Sequence, residues 1–337
     1  MTNPLVRLED IQQRTGKLPG PRNLKVIDFL DEHAIGWLAA STLAFLAFGR
    51  ETGPALTLAG GDAGFATVVD VHRLVLARAQ LDDASCVTTG APFGSLFLVP
   101  GIGETLRING RVGRIDDATI EIEVRECYLH CAKALIRSAF WQAEPEAGEA
   151  NTADPAAQVA ACRFLALATM DDHGSADVSP KGDPAGALLQ WHDGALWYPE
   201  RPGNRRIDSF RNLLVQPRMA GIALVPGSHC VAAFTGTASV HASETVRTAF
   251  AVDGRVPVLV TRIEVERVCA GPSATLARIQ PWPAAAAPAS IDPAGIFKAH
   301  IQASREGGLA AALLRATLAI PGAMRKGLDR DYRKNLY

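Results

Sequence analysis

The chain has 337 residues, about twice the length of a typical domain, so we expect two domains with appended segments. Hydrophobic residues make up 48% and charged residues 20%, which supports a buried core and excludes a disordered chain. The 34 Lys and Arg are balanced by 35 Asp and Glu, and aromatic residues reach only 6%, so the chain has neither the positive field nor the stacking surface of a nucleic-acid or anionic-membrane binder.

The N-terminal segment, residues 1–21, lacks the apolar stretch of a signal peptide. The longest uncharged run, Ala34 to Gly49, is shorter than a typical membrane span and is interrupted by Ser41 and Thr42. We therefore expect a cytoplasmic protein that does not contact membranes.

The cysteines include no CxxC pair. Cys127 and Cys131 have a helical spacing that could ligate a metal, but no second Cys or His pair at zinc-site spacing accompanies them. We expect buried free thiols and no metal site.

Residues 22–143 and 158–283 are two copies of one unit. The segment Leu98-Val-Pro-Gly101 recurs as Leu224-Val-Pro-Gly227, and further matches occur in the same order on both sides of it. These matches are Phe45-Leu-Ala with Phe164-Leu-Ala, Gly61-Asp62 with Gly182-Asp183, Ile122-Glu-Val with Ile263-Glu-Val, and Trp141 with Trp282. A repeat of this length indicates an internal duplication.

The segment 144–157 between the units is rich in Ala, Glu and Pro and reads as a linker. The second unit is then mostly β in pattern, with one short helix over Arg206–Val215 that Pro217 ends. The predicted strands are Phe164–Thr169 and Ala176–Ser179 in a hairpin, then Ala195–Tyr198, Met219–Val225, Val231–Val240 and Val256–Val265. Several strands and one or two helices in each unit predict a mainly β fold, a small closed or partly open antiparallel barrel.

The C-terminal extension, residues 284–337, starts with a second linker. Its pattern is helical over Pro293–Leu318, and a charged tail follows from Met324. We expect the tail to pack on the barrels as a charged, solvated helix.

The second unit carries one set of polar residues. Ser179-Pro-Lys-Gly-Asp-Pro184 is followed by Arg201–Asn212, which supplies four arginines across a turn and a helix start. Guanidinium groups and a hydroxyl near a helix N-terminus are typical of a phosphate site. An ordinary basic surface helix is the alternative.

The first unit carries a different set. Thr105 and Arg107 alternate with Leu106, so they share one strand face. Lys133 and Arg137 are four residues apart, so they share one helix face.

The two sets do not overlap when the units are aligned, since Lys181 falls opposite Gly60 and Arg107 falls opposite Ala233. Each unit holds the polar half that the other lacks. This division predicts one ligand site built across the interface of the two units.

Four motifs together resemble the FMN-binding split-barrel family related to pyridoxamine 5′-phosphate oxidase. They are Ser179–Pro184, Pro202–Asn212, Leu98–Gly110 and His130–Trp141. Family members are homodimers in which each flavin contacts both subunits. The resemblance therefore implies two tandem FMN-binding split barrels with a C-terminal helical extension, a fused pseudo-dimer with one complete flavin site.

The resemblance also implies which residues bind the flavin. The phosphate would be held by Lys181, Arg205, Arg206 and Ser209, with Asn204 in the same motif. The flavin would be lined by Ser179, Gly182, Asp183 and Tyr198 of the second unit and by Thr105, Arg107, Lys133, Arg137 and Ser138 of the first.

The function implied is an FMN-dependent oxidoreductase whose substrate and electron donor the sequence does not indicate. A deazaflavin or haem ranks behind FMN as cofactor. The alternatives are a flavin- or haem-binding module without turnover and a purely structural duplication. His130 is the one candidate for acid–base chemistry, with a structural histidine as the other interpretation, and further homo-oligomerisation stays open.

Overall fold

The computed structural model describes residues 3–17, 23–145, 154–203, 205–318 and 322–337. The strands of the first unit are β1 (Leu43–Phe48), β2 (Ala55–Gly60), β3 (Ala66–Asp70), β4 (Arg73–Ala77), β5 (Pro92–Leu98), β6 (Thr105–Ile115) and β7 (Thr119–His130). Those of the second unit are β8 (Phe164–Met170), β9 (Ala176–Gly182), β10 (Gln190–His192), β11 (Ala195–Glu200), β12 (Arg218–Leu224), β13 (Cys230–His241) and β14 (Leu259–Pro272).

The helices cover the ends and flanks of these sheets. They are α1 (Leu8–Thr15), α2 (Glu32–Ala40), α3 (Lys133–Arg137), α4 (Pro155–Ala161), α5 (Asp208–Val215), α6 (Glu244–Ala249), α7 (Ala274–Ile279), α8 (Pro293–Ala303), α9 (Leu309–Leu318) and α10 (Ala323–Lys334). Short 3-10 turns lie at Arg78–Gln80 and Phe140–Gln142.

The two units have the same topology. Each forms a seven-stranded antiparallel sheet, in the order β2-β1-β5-β6-β7-β4-β3 in the first and β9-β8-β12-β13-β14-β11-β10 in the second. Every strand of the second sheet thus takes the place of the strand seven earlier in the chain. The mainly β fold and the tandem duplication are confirmed.

The apolar runs of β1 and β8 bury both faces of the strand, because each strand contributes to two cores. One face of β1 lies inside the first unit: Ala44, Leu46 and Phe48. One face of β8 lies inside the second unit: Leu165 and Leu167. The other faces share a third core between the units: Leu43, Phe45 and Ala47 of β1 with Phe164, Ala166 and Ala168 of β8.

Phe45 of the first unit and Phe164 of the second pack directly on each other across this core, with ring centroids 5.3 Å apart. The strand registers correct the predicted match of these two residues: Leu43 pairs with Leu98, and Phe164 pairs with Leu224, the counterpart of Leu98. Phe164 therefore corresponds to Leu43, two residues before Phe45. The units also approach closely at Gly182, where a Cβ would lie 1.9 Å from the carbonyl oxygen of Ala134 in α3.

Some predicted boundaries differ from the structure. The helix predicted from Arg206 begins at Asp208, because Arg205 and Ile207 have positive φ angles of 56° and 50°. The last strand of the second unit runs from Leu259 to Pro272 rather than from Val256. The helical stretch 293–318 is two helices separated at residues 304–308, where Gly308 has a φ of 109°.

The terminal segments pack on different units. Ile11 of α1 lies in a small core with Phe210 and Leu259 of the second unit. Ile296 and Phe297 of α8 join the core of the first unit. In the predicted linker, residues 146–153 lie outside the described part of the chain, and Asp154 caps α4 through its side chain.

Within the described residues, no helix combines the length and the apolar character that crossing a bilayer would need.

Candidate functional site

One cavity lies where the two units meet. The first unit contributes the ends of β6 and β7 and the helix α3, and the second contributes the ends of β9 and β11, the loop after β11 and the start of α5. Nine of the predicted site residues line it: Arg107, Lys133 and Arg137 from the first unit, and Ser179, Lys181, Gly182, Asp183, Arg206 and Ser209 from the second. The two polar sets predicted from the sequence are therefore brought together.

Positive charge dominates the cavity. Six cationic side chains line it: Arg107, Lys133, Arg137, Lys181, Arg201 and Arg206. Three acidic side chains line it: Asp183, Glu200 and Asp208. An excess of cations in a concave, partly enclosed surface favours an anionic ligand.

Arg107 on β6 links the two units. Its guanidinium is fully buried and donates to the Tyr128 hydroxyl at 2.8 Å and to the Ser179 hydroxyl at 3.0 Å. Its Nη1 also lies 3.2 Å from the Asp177 carboxylate and 3.6 Å from that of Asp208. Burial opposes the charge of Arg107, but Tyr128 and the two carboxylates outweigh burial and raise its pKa.

Two ion pairs shape the second unit's side of the cavity. Lys181 lies 2.5 Å from Glu200, and Arg201 lies 2.8 Å from the fully buried Asp183. Burial raises the pKa of Asp183 in spite of the contact with Arg201.

The start of α5 forms the adjoining wall. The Ser209 hydroxyl donates to that of Ser179 at 2.9 Å, and the Arg206 Nε donates to Asp208 at 2.8 Å. The Arg206 guanidinium also lies 4.6 Å from the centre of the Tyr128 ring. This wall therefore presents the hydroxyl groups of Ser179 and Ser209 beside the guanidinium of Arg206. That guanidinium contacts Asp208 of the second unit and Tyr128 of the first.

Lys133 and Arg137 extend from one face of α3, as their spacing predicts. Both contact the C-terminal strap, which we define as residues 331–337. Lys133 Nζ lies 2.8 Å from the Asp331 carboxylate, and Arg137 Nε donates to the Leu336 carbonyl oxygen at 2.7 Å. The strap itself does not line the cavity.

The remaining predicted site residues lie elsewhere. Thr105 is buried on β6 outside the lining, and the Ser138 hydroxyl donates to the Leu135 carbonyl oxygen at 3.1 Å. Tyr198 is buried in the core of the second unit. Arg205 is exposed beside Gly16, and Asn204 lies outside the described residues.

The structure adds residues that the sequence did not single out. Glu200, Asp208 and Arg201 line the cavity, and only Arg201 and Asp208 belong to a segment that the motifs marked. His130 also lines it. Burial and the nearby cations, Arg107 first among them, hold the pKa of His130 well below its usual value, so the imidazole is neutral at neutral pH.

At the position related to this cavity by the repeat, side chains of α7 and of its N-cap residue Ser273 contact the first unit. Arg278 Nη2 donates to the carbonyl oxygens of Gly60 and Gln80, both at 2.9 Å. The Ser273 hydroxyl donates to Asp82, the repeat counterpart of Asp208, at 2.5 Å.

A family model matches the second unit. The family model of pyridoxamine 5′-phosphate oxidase matches residues 153–269, which is most of the second unit. No curated protein matches the chain.

Solved structures of single-unit length also match. HupZ of Group A Streptococcus is 24% identical, with 36% of this chain and 98% of that chain covered and a TM-score of 0.29. An F420 reductase is 11% identical over 37% of this chain and 97% of its own, with a TM-score of 0.26. A FAD-binding protein of Mesorhizobium loti is 16% identical over 34% and 90%, with a TM-score of 0.22.

The second unit thus matches the family model of pyridoxamine 5′-phosphate oxidase, and the first unit repeats its seven-stranded topology, so the chain holds two units of this fold in tandem.

Proposed function

We propose that the cavity between the two units binds one FMN per chain and that the protein is an FMN-dependent oxidoreductase. The observation that carries this proposal is the meeting of six cationic side chains from both units around one cavity. Each unit supplies three of these cations, so the full set exists only where the two units meet. This supports one ligand site shared by both units.

The chemistry of these residues fits a phosphate-bearing cofactor. Lys181, Arg206 and Ser209 would hold the phosphate, because guanidinium, ammonium and hydroxyl groups are its preferred donors. Ser179, Gly182 and Asp183 would face the rest of the molecule, with Arg107, Lys133 and Arg137 on the opposite wall. Thr105, Ser138 and Tyr198 do not line the cavity, so no contact with the cofactor is proposed for them.

When bound, a flavin supplies hydride and single-electron chemistry, while the protein controls its orientation and surroundings. Arg107 would keep a fixed positive charge at the cavity, because its carboxylate partners and the Tyr128 hydroxyl hold it in place. His130 would remain neutral at neutral pH and would act as a hydrogen-bonding group.

The second candidate is a flavin- or haem-binding module without turnover. The walls of the cavity, whose volume is about 80 Å³, would have to move to admit even the flavin, and a module without turnover needs no further space for a substrate. Rapid reduction of the bound flavin by NADH, NADPH or a reduced deazaflavin would favour the oxidoreductase, and tight binding without reduction would favour the module.

The test of FMN binding uses titration of the apoprotein followed by flavin fluorescence and absorbance. We expect one FMN per chain. Replacing Lys181 and Arg206 by Met should weaken binding at least about 100-fold, since each lost charge-assisted contact is worth about 1.5–3 kcal/mol.

The matched control replaces Arg114, an exposed arginine of β6, and Lys326 of α10 by Met, with the same loss of charge. Its affinity should equal that of the unmodified protein. Absence of binding, equal weakening in the control, or two FMN per chain would contradict the proposal.

A further inference from the structure

The C-terminal strap contacts three of the six cations that line the cavity. Asp331 pairs with Lys133, and the Leu336 carbonyl oxygen accepts from Arg137. The Tyr337 ring lies 5.4 Å from the guanidinium carbons of both Arg137 and Arg201. The strap therefore contacts these cations through a carboxylate, a carbonyl oxygen and an aromatic ring. An anionic aromatic ligand in the cavity would contact the same cations with groups of the same kinds.

The strap is also tied to both units near the cavity. The Tyr332 hydroxyl donates to the Glu104 carboxylate at 2.8 Å and accepts from the Ala132 amide at 3.2 Å, both in the first unit. Arg255 of the second unit donates to the Tyr337 carbonyl oxygen at 2.6 Å. The strap therefore has a defined place rather than trailing into solvent.

The strap compensates these cations only in part. Lys133 is 2% exposed, and Asp331, whose side chain is 43% exposed, is an ion-pair partner open to solvent. Arg137 meets neutral carbonyl oxygens of Leu336 and Pro202, and burial lowers its pKa. A phosphate group in the cavity would give Arg137 an anionic partner in place of neutral carbonyl oxygens. It would offer Lys133 a charge of about −1.5 to −2 in place of the single, solvent-exposed carboxylate of Asp331.

The small size of the cavity also indicates that a ligand would displace the strap. Its volume of about 80 Å³ is below the roughly 300–1,000 Å³ of most small-molecule sites, so a ligand of FMN size needs the walls to move. Arg137 and Arg201 form part of those walls and pack against Tyr337. Release of the strap would remove this contact from both, while Arg201 would keep its ion pair with Asp183.

We propose that residues 331–337 are a displaceable strap that holds Lys133 and Arg137 in the ligand-free protein, and that an anionic ligand in the cavity takes over these two side chains and releases the strap. This inference rests on the proposed function where it names FMN as the ligand. The release of the strap itself is proposed for any phosphate-bearing anion that binds in the cavity.

The experiment compares the full-length protein with the double variant Asp331→Asn, Tyr337→Ala. The variant should bind FMN at least about ten-fold more tightly, because the ligand no longer has to displace the strap. The matched control, Asp329→Asn, makes the same change in charge at an exposed acid of α10 outside these contacts, and should bind as the unmodified protein does.

A second measurement follows trypsin cleavage after Arg333 and Lys334 in the unmodified protein, relative to cleavage after the exposed Arg305. Saturating FMN should accelerate cleavage in the strap several-fold. Inorganic pyrophosphate should do the same, since it supplies the anion without the ring.

Unchanged or weaker FMN binding by the double variant, or protection of the strap by FMN, would overturn the inference, since the strap would then be a fixed wall or would close on the ligand. If neither protein binds FMN, the proposed function fails. The inference then depends on pyrophosphate alone: faster strap cleavage supports it for another anionic ligand, and unchanged cleavage overturns it.

Discussion

Arg107 and His130 show how single residues at the unit boundary depend on both halves of the chain. Arg107 belongs to the first unit, yet its carboxylate partners Asp177 and Asp208 belong to the second. His130, paired with Thr105 across β6 and β7, lies among the same charges. A buried imidazole next to cations stays neutral, and this makes folding sensitive to pH.

The pH dependence of stability tests the state of His130. Its pKa is lower in the folded than in the unfolded protein, so the unfolded chain takes up a proton first as the pH falls below about 6.5. The stability that His130 contributes is therefore present above about pH 6.5 and is lost below it, by up to about 1.4 kcal/mol per pH unit. Urea unfolding at about pH 7.5 and 5.5 should show a smaller loss in His130→Gln than in the unmodified protein.

His173→Gln is the control for this measurement, because His173 is exposed in the turn between β8 and β9. It should keep the full pH dependence. An equal loss of stability in all three proteins would mean that His130 takes up its proton in the folded protein over the same pH range as in the unfolded chain.

At the scale of elements, the site depends on how closely α3 of the first unit approaches β9 of the second. Gly182 at the end of β9 allows this approach, since only a hydrogen atom faces the Ala134 carbonyl oxygen there. The same closeness brings Lys133 and Arg137 to the cavity. The glycine of the predicted Ser-Pro-Lys-Gly-Asp-Pro motif thus acts through packing between units as well as by lining the cavity.

Gly182→Ala should separate these two elements. A Cβ 1.9 Å from a backbone oxygen forces one of them to move, which we expect to cost about 1–3 kcal/mol in the free energy of unfolding and to weaken FMN binding. Denaturant unfolding and FMN titration measure both effects.

Gly36→Ala provides the comparison, because no atom lies within 4 Å of its added Cβ in α2. That change should leave FMN binding intact and leave stability equal or higher, since alanine favours helix. Equal behaviour of the two variants would show that α3 and β9 are not in close contact.

Local patterns in the sequence predicted the elements well and their long-range partners poorly. The apolar run Phe164–Thr169 and the turn at Asp171–Gly174 indicated the hairpin of β8 and β9, because strand and turn signals are short-range. The four-residue spacing of Lys133 and Arg137 likewise placed both on one face. Contacts of the strap with α3 join residues about 200 positions apart, and no periodicity in the sequence marks such a pair.

The duplication let the sequence predict the site as a whole. Lys181 and Arg107 have no charged counterpart in the other unit, and this complementarity indicated one shared site before any contact was known. The sequence could not show that Glu200 would pair with Lys181. The two residues are 19 positions apart, and no fixed spacing relates an acidic residue to the lysine of such a motif.

At the scale of the whole molecule, the third core between the units makes the two sheets depend on each other. Phe45 and Phe164 lie at its centre, and Phe140 packs on Phe164 with ring centroids 5.0 Å apart. Both units bury one face of their first strand there. Neither sheet can unfold without exposing the apolar face of the other.

Phe164→Ala should therefore destabilise both units together. We expect a loss of about 3–5 kcal/mol, as for other large aromatic side chains removed from a packed core. Hydrogen exchange should show faster opening in β1 as well as in β8, although β1 carries no substitution.

The control is Val69→Ala, at a half-exposed residue of β3, which should leave exchange unchanged in both units. If Phe164→Ala speeds exchange only in the second unit, the two units unfold independently.

Joining both halves in one polypeptide has a consequence for how the protein behaves on dilution. A site built from two separate subunits falls apart once the protein concentration drops below their dissociation constant. A covalent connection keeps the halves at an effective concentration on the order of millimolar, whatever the amount of protein in solution. Arg107 and Lys181 would thus still meet at abundances where an ordinary dimer had come apart, and each half could mutate without imposing the same change on its neighbour.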